Sequence, residues 1–255
     1  MATLDDVITP RDGLLEVRDG WRQGRGAYGG LTIAAAIRAI EQRVADPRRL
    51  VRSVTAEIPA PTLAGEVSVE VDVLRAGNSV TTARAALVQG GEVTTHAVAV
   101  LAAPRDNVDP WSWRELMPPT VPGWREVAPF QGTWPEFLQQ FEVRVVRGVP
   151  FTGGDPEAVG WVLPRSPGRL RDAAYLAAMV DVWYPSALVR AKAMRALATI
   201  AFTLEVFDTA AGDAPLLYRG RCDVARDGYF VERRELWHED GRLLAINHQT
   251  FAVIK

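Results

Sequence analysis

Asp181 is the residue whose surroundings first ask for a chemical explanation. It lies in the run AAYLAAMVDVWYP from Ala173 to Pro185, with Met179, Val180, Val182 and Trp183 around it. A carboxylate on or beside an apolar helix face, near a helix C-terminus where the dipole disfavours an anion, carries a cost that nothing local offsets. Two readings are open: a buried acid or base, or a capping Asp exposed by a one-residue shift of the helix face. Thr199 begins the strand-like stretch ATIAFTLEV. Gln249 sits inside LLAINHQTFAVI, where an amide among apolar strand residues needs a partner. Their counterparts in the first half of the chain are about Ser53 and Ala99, so this set of polar groups belongs to one half.

A second candidate lies at the start of a helix. Gly24-Arg-Gly26-Ala-Tyr-Gly29 matches GxGxxG, but dinucleotide binding requires strands alternating with helices after it, and here strands follow strands. Gly29 and Gly30 instead open an alanine-rich helix, where unpaired N–H groups and the positive end of the dipole can hold an oxyanion or a thioester carbonyl. Glycine there is equally explained by a tight turn or close packing. No GxSxG elbow is present, and Cys222 has no histidine close to it in sequence, which argues against covalent catalysis. His96 and His248 read as strand residues rather than catalytic bases.

Composition narrows the classes of function. The 255 residues carry 29 basic and 31 acidic side chains, leaving no positive excess for phosphate neutralisation, and nucleic acid is not an expected partner. One cysteine and three histidines give no zinc-ligand spacing and no internal disulfide, so no metal is expected. No apolar run of membrane-spanning length and no leader-like start is present, so a soluble cytoplasmic protein, without membrane, is the expectation.

The elements that must position these groups occur twice. Leu31 to Val44 has apolar residues at helical spacing and ends at Asp46-Pro47. Leu50 to Ile58, Glu66 to Leu74, Val80 to Gln89 and Val93 to Ala102 follow as strands. A Pro- and Trp-rich stretch, residues 104–134, is expected to pack Trp111, Trp113, Trp124 and Trp134 onto the core. Strands at Phe141 to Arg147 and Ala158 to Leu163 lead to a second helix, Asp172 to Trp183. Four more strands then run over Ala198 to Phe207, Leu216 to Ala225, Tyr229 to His238 and Leu243 to Ile254. Turn residues recur at an offset of about 150 positions, as with Arg75-Ala-Gly77-Asn78 and Arg226-Asp-Gly228-Tyr229. Turns this short exclude parallel crossovers. The expected fold is α+β, with two antiparallel sheets each wrapped around a long central helix. The units are residues 1–103, a connector at 104–134, and residues 135–255. Edge strands in such units predict a homodimer or higher homo-oligomer.

Gly29-Gly30 before the alanine-rich helix, Leu50-Val-Arg-Ser53, Val73-Leu-Arg75-Ala-Gly77-Asn-Ser79, Ala198-Thr-Ile200, and Leu243-Leu-Ala245 through Gln249 together resemble acyl-CoA thioesterase II and its double hot-dog relatives. The resemblance implies an acyl-CoA thioesterase with no cofactor beyond the coenzyme A of its substrate. Asp181, Thr199 and Gln249 match the positions that bind and activate the hydrolytic water, with backbone N–H groups at a helix start stabilising the oxyanion. Where that family carries an Asp-His pair after the Thr, this chain has Ala201-Phe202, and the acyl group stays open. Arg22, Arg25, Arg48 and Arg49 are equivalent candidates for the CoA phosphates. Two other readings keep the same fold: a non-catalytic acyl-CoA or lipid-binding protein, and an acyl-CoA hydratase or dehydratase. The latter calls for an Asp or His pair on one loop, which the sequence does not display.

Overall fold

The computed structural model describes residues 2–105, 113–131 and 135–254. A short helix α1 (Leu4–Ile8), capped by Thr3, precedes strand β1 (Leu14–Val17) and a small hairpin of β2 (Arg22–Gln23) and β3 (Gly26–Ala27). Helix α2 (Gly29–Val44) follows, then β4 (Leu50–Glu57), β5 (Gly65–Ala76), β6 (Val80–Gln89) and β7 (Glu92–Ala102). Beyond the connector come β8 (Phe141–Arg147), β9 (Glu157–Pro164), α3 (Ala173–Val180), α4 (Ala187–Arg190), β10 (Leu197–Val206), β11 (Leu216–Arg226), β12 (Tyr229–Trp237) and β13 (Leu243–Val253).

The duplication expected from the turns is visible in the pairing. In each half the strand before the helix pairs with the first strand of the meander, and the strand after the helix pairs with the last, giving β1-β5-β6-β7-β4 and β9-β11-β12-β13-β10. The expectation of two separate sheets is corrected. β4 and β10 pair antiparallel, Phe202 opposite Ala56 and Leu204 opposite Val54, and join the halves into one 11-stranded sheet with β8 added outside β9. The inner edge of each half is thus covered within the chain, and β1 and β8 form the outer edges.

The helices are unequal, which corrects a second expectation. Helix α2 runs 16 residues, and Gly30 to Ile40 are all buried against α3 and the β5–β7 meander. Helix α3 has eight residues. Its N-cap Asp172 accepts from the Tyr175 N–H and also pairs with Arg38 of α2 at 2.9 Å, so one carboxylate both starts the helix and ties it to its counterpart. At its other end Asp181 is the C-cap, with φ −91° and ψ −3°, rather than a residue inside a helix reaching Trp183. Val182, Trp183 and Tyr184 continue the apolar run but stay buried in an irregular turn, and Pro185 keeps Tyr184 from extending the helix.

The connector meets its expectation in part. Trp124 packs with Val159, Trp161, Leu217 and Trp237 on the outer face of the second half, and Arg144 lies over its ring at 4.0 Å. Trp113 is exposed, and Trp111 and Trp134 lie outside the described residues. Among the described residues no helix is long and apolar enough to cross a membrane.

Candidate active site

The end of α3 and the start of α2 meet face to face. The Gly30 N–H donates to Asp181 Oδ2 at 2.6 Å, using one of the unpaired donors that a helix N-terminus must expose. A Cβ on Gly30 would stand 2.5 Å from the Tyr28 ring, 2.9 Å from Asp181 Cβ and 3.1 Å from the Ala178 carbonyl. The close-packing reading therefore holds for Gly30, whereas its amide, read as a donor to a substrate oxyanion or thioester carbonyl, is already taken by an anion. That anion is the Asp181 carboxylate itself, so of the two glycines only Gly29 has an amide not committed to Asp181. Gly29 is also hemmed in, by Ile58 and by Asp181 Oδ2 at 3.1 Å from an added Cβ.

Strand β13 supplies the next partner. Asn247, Gln249 and Phe251 alternate inward, and Gln249 Nε2 donates to Asp181 Oδ1 at 2.9 Å and to Asn247 Oδ1 at 3.0 Å. With its NH₂ so engaged, its Oε1 faces β10 and accepts from Thr199 Oγ at 3.1 Å. A bulge puts Thr199 there. Register shifts between Thr199 and Ala201, and Thr199 and Phe202, three apart, stand opposite the inward-facing Phe251 and Gln249. Without the extra residue Ile200, strict alternation would turn Thr199 to the opposite face. The three residues named from sequence are therefore brought into one chain of hydrogen bonds.

Strand β12 contributes what the sequence reading missed. Arg234, fully buried, sends Nη1 to Asp181 Oδ1 at 3.4 Å and to the Val180 carbonyl at 3.3 Å. Its Nε and Nη2 go to Glu232 Oε2 at 3.1 and 3.0 Å, and Glu232 is itself fully buried. Tyr28, at the N-cap of α2, donates its hydroxyl to the Ala178 carbonyl at 3.3 Å and stacks on Phe137 with centroids 4.3 Å apart. The available signal was strand alternation. Phe230, Glu232, Arg234 and Leu236 share one face, and a strand with that register buries two opposite charges.

Burial pushes the Asp181 carboxyl above its ordinary range. Arg234, the Gln249 amide and the Gly30 N–H pull it back, and the Glu232 charge adds to the rise. Burial raises the Tyr28 hydroxyl well above its usual value, with the Asp181 charge adding to it, so Tyr28 stays neutral beside the acid. An ionised carboxylate offers about four acceptor sites. Asp181 accepts from Gly30, Gln249 and Arg234, which leaves room for about one further donor. Thr199 donates its proton to Gln249 and keeps its lone pairs. Two cavities of about 250 and 360 Å³, one lined by residues such as Phe130, Leu138 and Phe141 and one by Glu41, Asp46 and Arg49, are bordered by none of these residues. Among the described residues no group of three or more His, Cys, Asp and Glu side chains is arranged to hold a metal ion.

Known proteins share this architecture. A conserved protein of unknown function with a hot dog fold from Alicyclobacillus acidocaldarius is 28% identical, with a TM-score of 0.90 over 100% of this chain and 99% of that one. The tesB protein of Mycobacterium avium subsp. paratuberculosis is 17% identical, with a TM-score of 0.81 over 99% of this chain and 98% of its own. Acyl-CoA thioesterase II TesB2 of Mycobacterium marinum is 18% identical, with a TM-score of 0.77 over 99% and 98%. No curated protein matches the chain. Residues 17–102 match the acyl-CoA thioesterase N-terminal domain and residues 115–253 match the acyl-CoA thioesterase C-terminal domain. With both domain types in tandem on one continuous sheet, the chain belongs to the acyl-CoA thioesterase family.

Proposed function

We propose that this protein hydrolyses acyl-CoA thioesters to free acid and coenzyme A, with Asp181 as general base and Thr199 and Gln249 ordering the water. The observation that carries the reading is the Asp181 carboxylate, engaged by three donors and left with about one acceptor site. A single water that donates one proton to Asp181 and the other to Thr199 Oγ presents its lone pair outward. It attacks the thioester carbonyl carbon while Asp181 takes its proton, and the carbonyl becomes an oxyanion. Collapse breaks the C–S bond, and Asp181 returns the proton to the leaving thiolate. The raised pKa of Asp181 suits both steps, since a stronger base accepts the proton and the acid so formed can give it back.

The oxyanion donor in this reading is the Gly29 N–H, because the Gly30 N–H holds the base. No cofactor takes part beyond the coenzyme A of the substrate. Of the arginines considered for its phosphates, Arg22 pairs with Glu136 and Arg48 and Arg49 with Asp46. Arg25, exposed between β2 and β3 just ahead of Gly29, makes no ion pair among the described residues and is the assignment we favour.

The test is thiol release measured over a panel of acyl-CoAs of graded length. Turnover with at least one chain length, lost in Asp181→Asn, is expected. Binding of acyl-CoA without thiol release by the unaltered protein would overturn the catalytic reading in favour of a binding protein.

A further inference from the structure

We propose that Glu232 and Arg234 act together as a charge-balanced clamp that positions Asp181 by pinning both ends of the segment from Val180 to Ala187, a role that rests on the hydrolytic reading above. The segment has need of a clamp. Helix α3 ends at Val180, and Asp181 is already outside the regular helix, so the backbone that carries its side chain is not fixed by a continuing helix. Arg234 grips the first end through the Val180 carbonyl and Asp181 Oδ1. Glu232 grips the second end, accepting from Ser186 Oγ at 2.8 Å and from the Ala187 N–H at 3.1 Å on its Oε1. Its other oxygen receives both the Nε and the Nη2 of Arg234, so the two grips are one rigid unit on β12.

The distances apportion the charge. Glu232 takes the guanidinium through two hydrogen bonds of 3.0 and 3.1 Å, whereas Asp181 receives a single one at 3.4 Å. An Arg that paired bidentately with Asp181 would hold the acid ionised and weaken it as a base. With Glu232 as the principal counter-ion, Arg234 orients Asp181 and leaves most of its basicity in place. The other elements facing Asp181 add no charge: Gly30 and Tyr28 from α2, Gln249 and Asn247 from β13, and Tyr218 from β11. Burial raises the Tyr28 and Tyr218 hydroxyls, so both stay neutral. A buried triad of this kind is strongly perturbed by loss of one member, because the remaining charges are left unbalanced.

The clamp predicts opposite signs for its two members. The full-length protein labelled with ¹³Cγ aspartate, its Asp181 resonance assigned by absence in Asp181→Asn, gives the Asp181 midpoint directly by titration. Glu232→Gln removes the competitor for Arg234 and lowers the midpoint by about one pH unit, whereas Arg234→Gln raises it by a similar amount. Arg234→Lys keeps the charge and loses the fork, so the midpoint stays near its original value while kcat falls. A merely structural role moves melting temperature but not these midpoints in opposite directions. Midpoints that stay put, or move the same way, overturn the clamp even if Asp181→Asn abolishes thiol release. Midpoints that move as expected while the acid limb of kcat/KM fails to follow them overturn the hydrolytic reading and leave the clamp standing. If Arg234→Gln does not fold, Glu232→Gln and Arg234→Lys decide.

Discussion

The Gly30 amide and the Asp181 carboxylate meet at 2.6 Å across 151 positions of sequence. One belongs to the helix of the first half and the other to the helix of the second, so the site is built by both halves together. Each repeat alone holds only part of it.

That contact sets the first prediction. Gly30→Ala would press a methyl group into the Tyr28 ring, Asp181 Cβ and the Ala178 carbonyl. Two of the three are held in place, since Ala178 is inside α3 and Tyr28 is stacked and hydrogen-bonded. Overpacking of this kind costs about 1–3 kcal/mol, and the displaced Asp181 should lower kcat by more than the stability loss alone suggests. Gly29→Ala meets the movable end of Ile58 first and should cost less stability. Chemical denaturation and thiol release on both variants check the order.

Asp181→Asn should lower kcat by a factor on the order of 10² to 10⁴ while leaving the fold intact. Its effect on stability has a sign that depends on pH. Asp181 binds its proton more tightly folded than unfolded, because burial raises its pKa above 3.8, so the ionised form costs stability as pH rises from about 4 through the folded value. The asparagine variant should therefore gain in melting temperature relative to the original protein as pH rises across that window. The acid limb of kcat/KM should lie above the ordinary carboxylate range and vanish in the variant. A melting difference that does not change with pH would contradict this.

Much of this was legible from spacing, and the rest depended on contacts that spacing does not encode. Helix α2 and the two meanders follow from local periodicity and turn residues, because both are written within a few positions. The joining of β4 to β10 is not local. Nothing within Ser53 to Glu57 or Ala201 to Glu205 names the other as its partner. Asp181 was read as helical because Val182 and Trp183 continue an apolar run, but both stay buried outside the helix, and Trp183 stacks on Tyr218 of β11 at 4.6 Å. Arg234 stayed hidden in the run Glu232-Arg-Arg-Glu235, where each face of the strand carries one Glu and one Arg and Glu235 is buried as well, so alternation alone does not pick the pair that faces Asp181. Thr199 points inward because of a bulge that alternation cannot anticipate.

Gln249 and Thr199 can be separated by choice of substitution. Thr199→Ala removes one acceptor for the water and leaves the Gln249–Asp181 bond, so a loss smaller than that of Asp181→Asn is expected. Gln249→Glu places a second carboxyl where the amide now donates to Asp181 at 2.9 Å. Two carboxyls that close share a proton, and the pair titrates with one midpoint strongly raised. The acid limb of kcat/KM should move upward in Gln249→Glu and stay in place in Thr199→Ala, and the Thr199→Ala loss should be non-additive with Asp181→Asn. Equal pH profiles for the two variants would remove Gln249 from contact with the base.

A last prediction concerns a half-buried acid away from the site. Glu41 of α2 faces Arg38 at 3.9 Å, but Arg38 also pairs with Asp172 at 2.9 Å and Asp5 at 3.9 Å, so one cation is shared by three carboxyls. Burial, with the Asp172 charge adding to it and Arg38 opposing, raises Glu41 from 4.5 to about 8. The folded protein therefore binds this proton more tightly than the unfolded chain, and stability falls as pH rises between those two values. Glu41→Gln keeps the shape and removes the titration. The variant and the original protein should have similar urea midpoints near pH 4.5. The variant should then become progressively more stable relative to the original up to about pH 8, with no further gain above it. Asp181 is present in both proteins, so the difference reports Glu41 together with its interaction with Asp172. A variant that is less stable at every pH, with a gap that does not narrow, would mean that Glu41 is ionised throughout and that its pairing with Arg38 outweighs its burial.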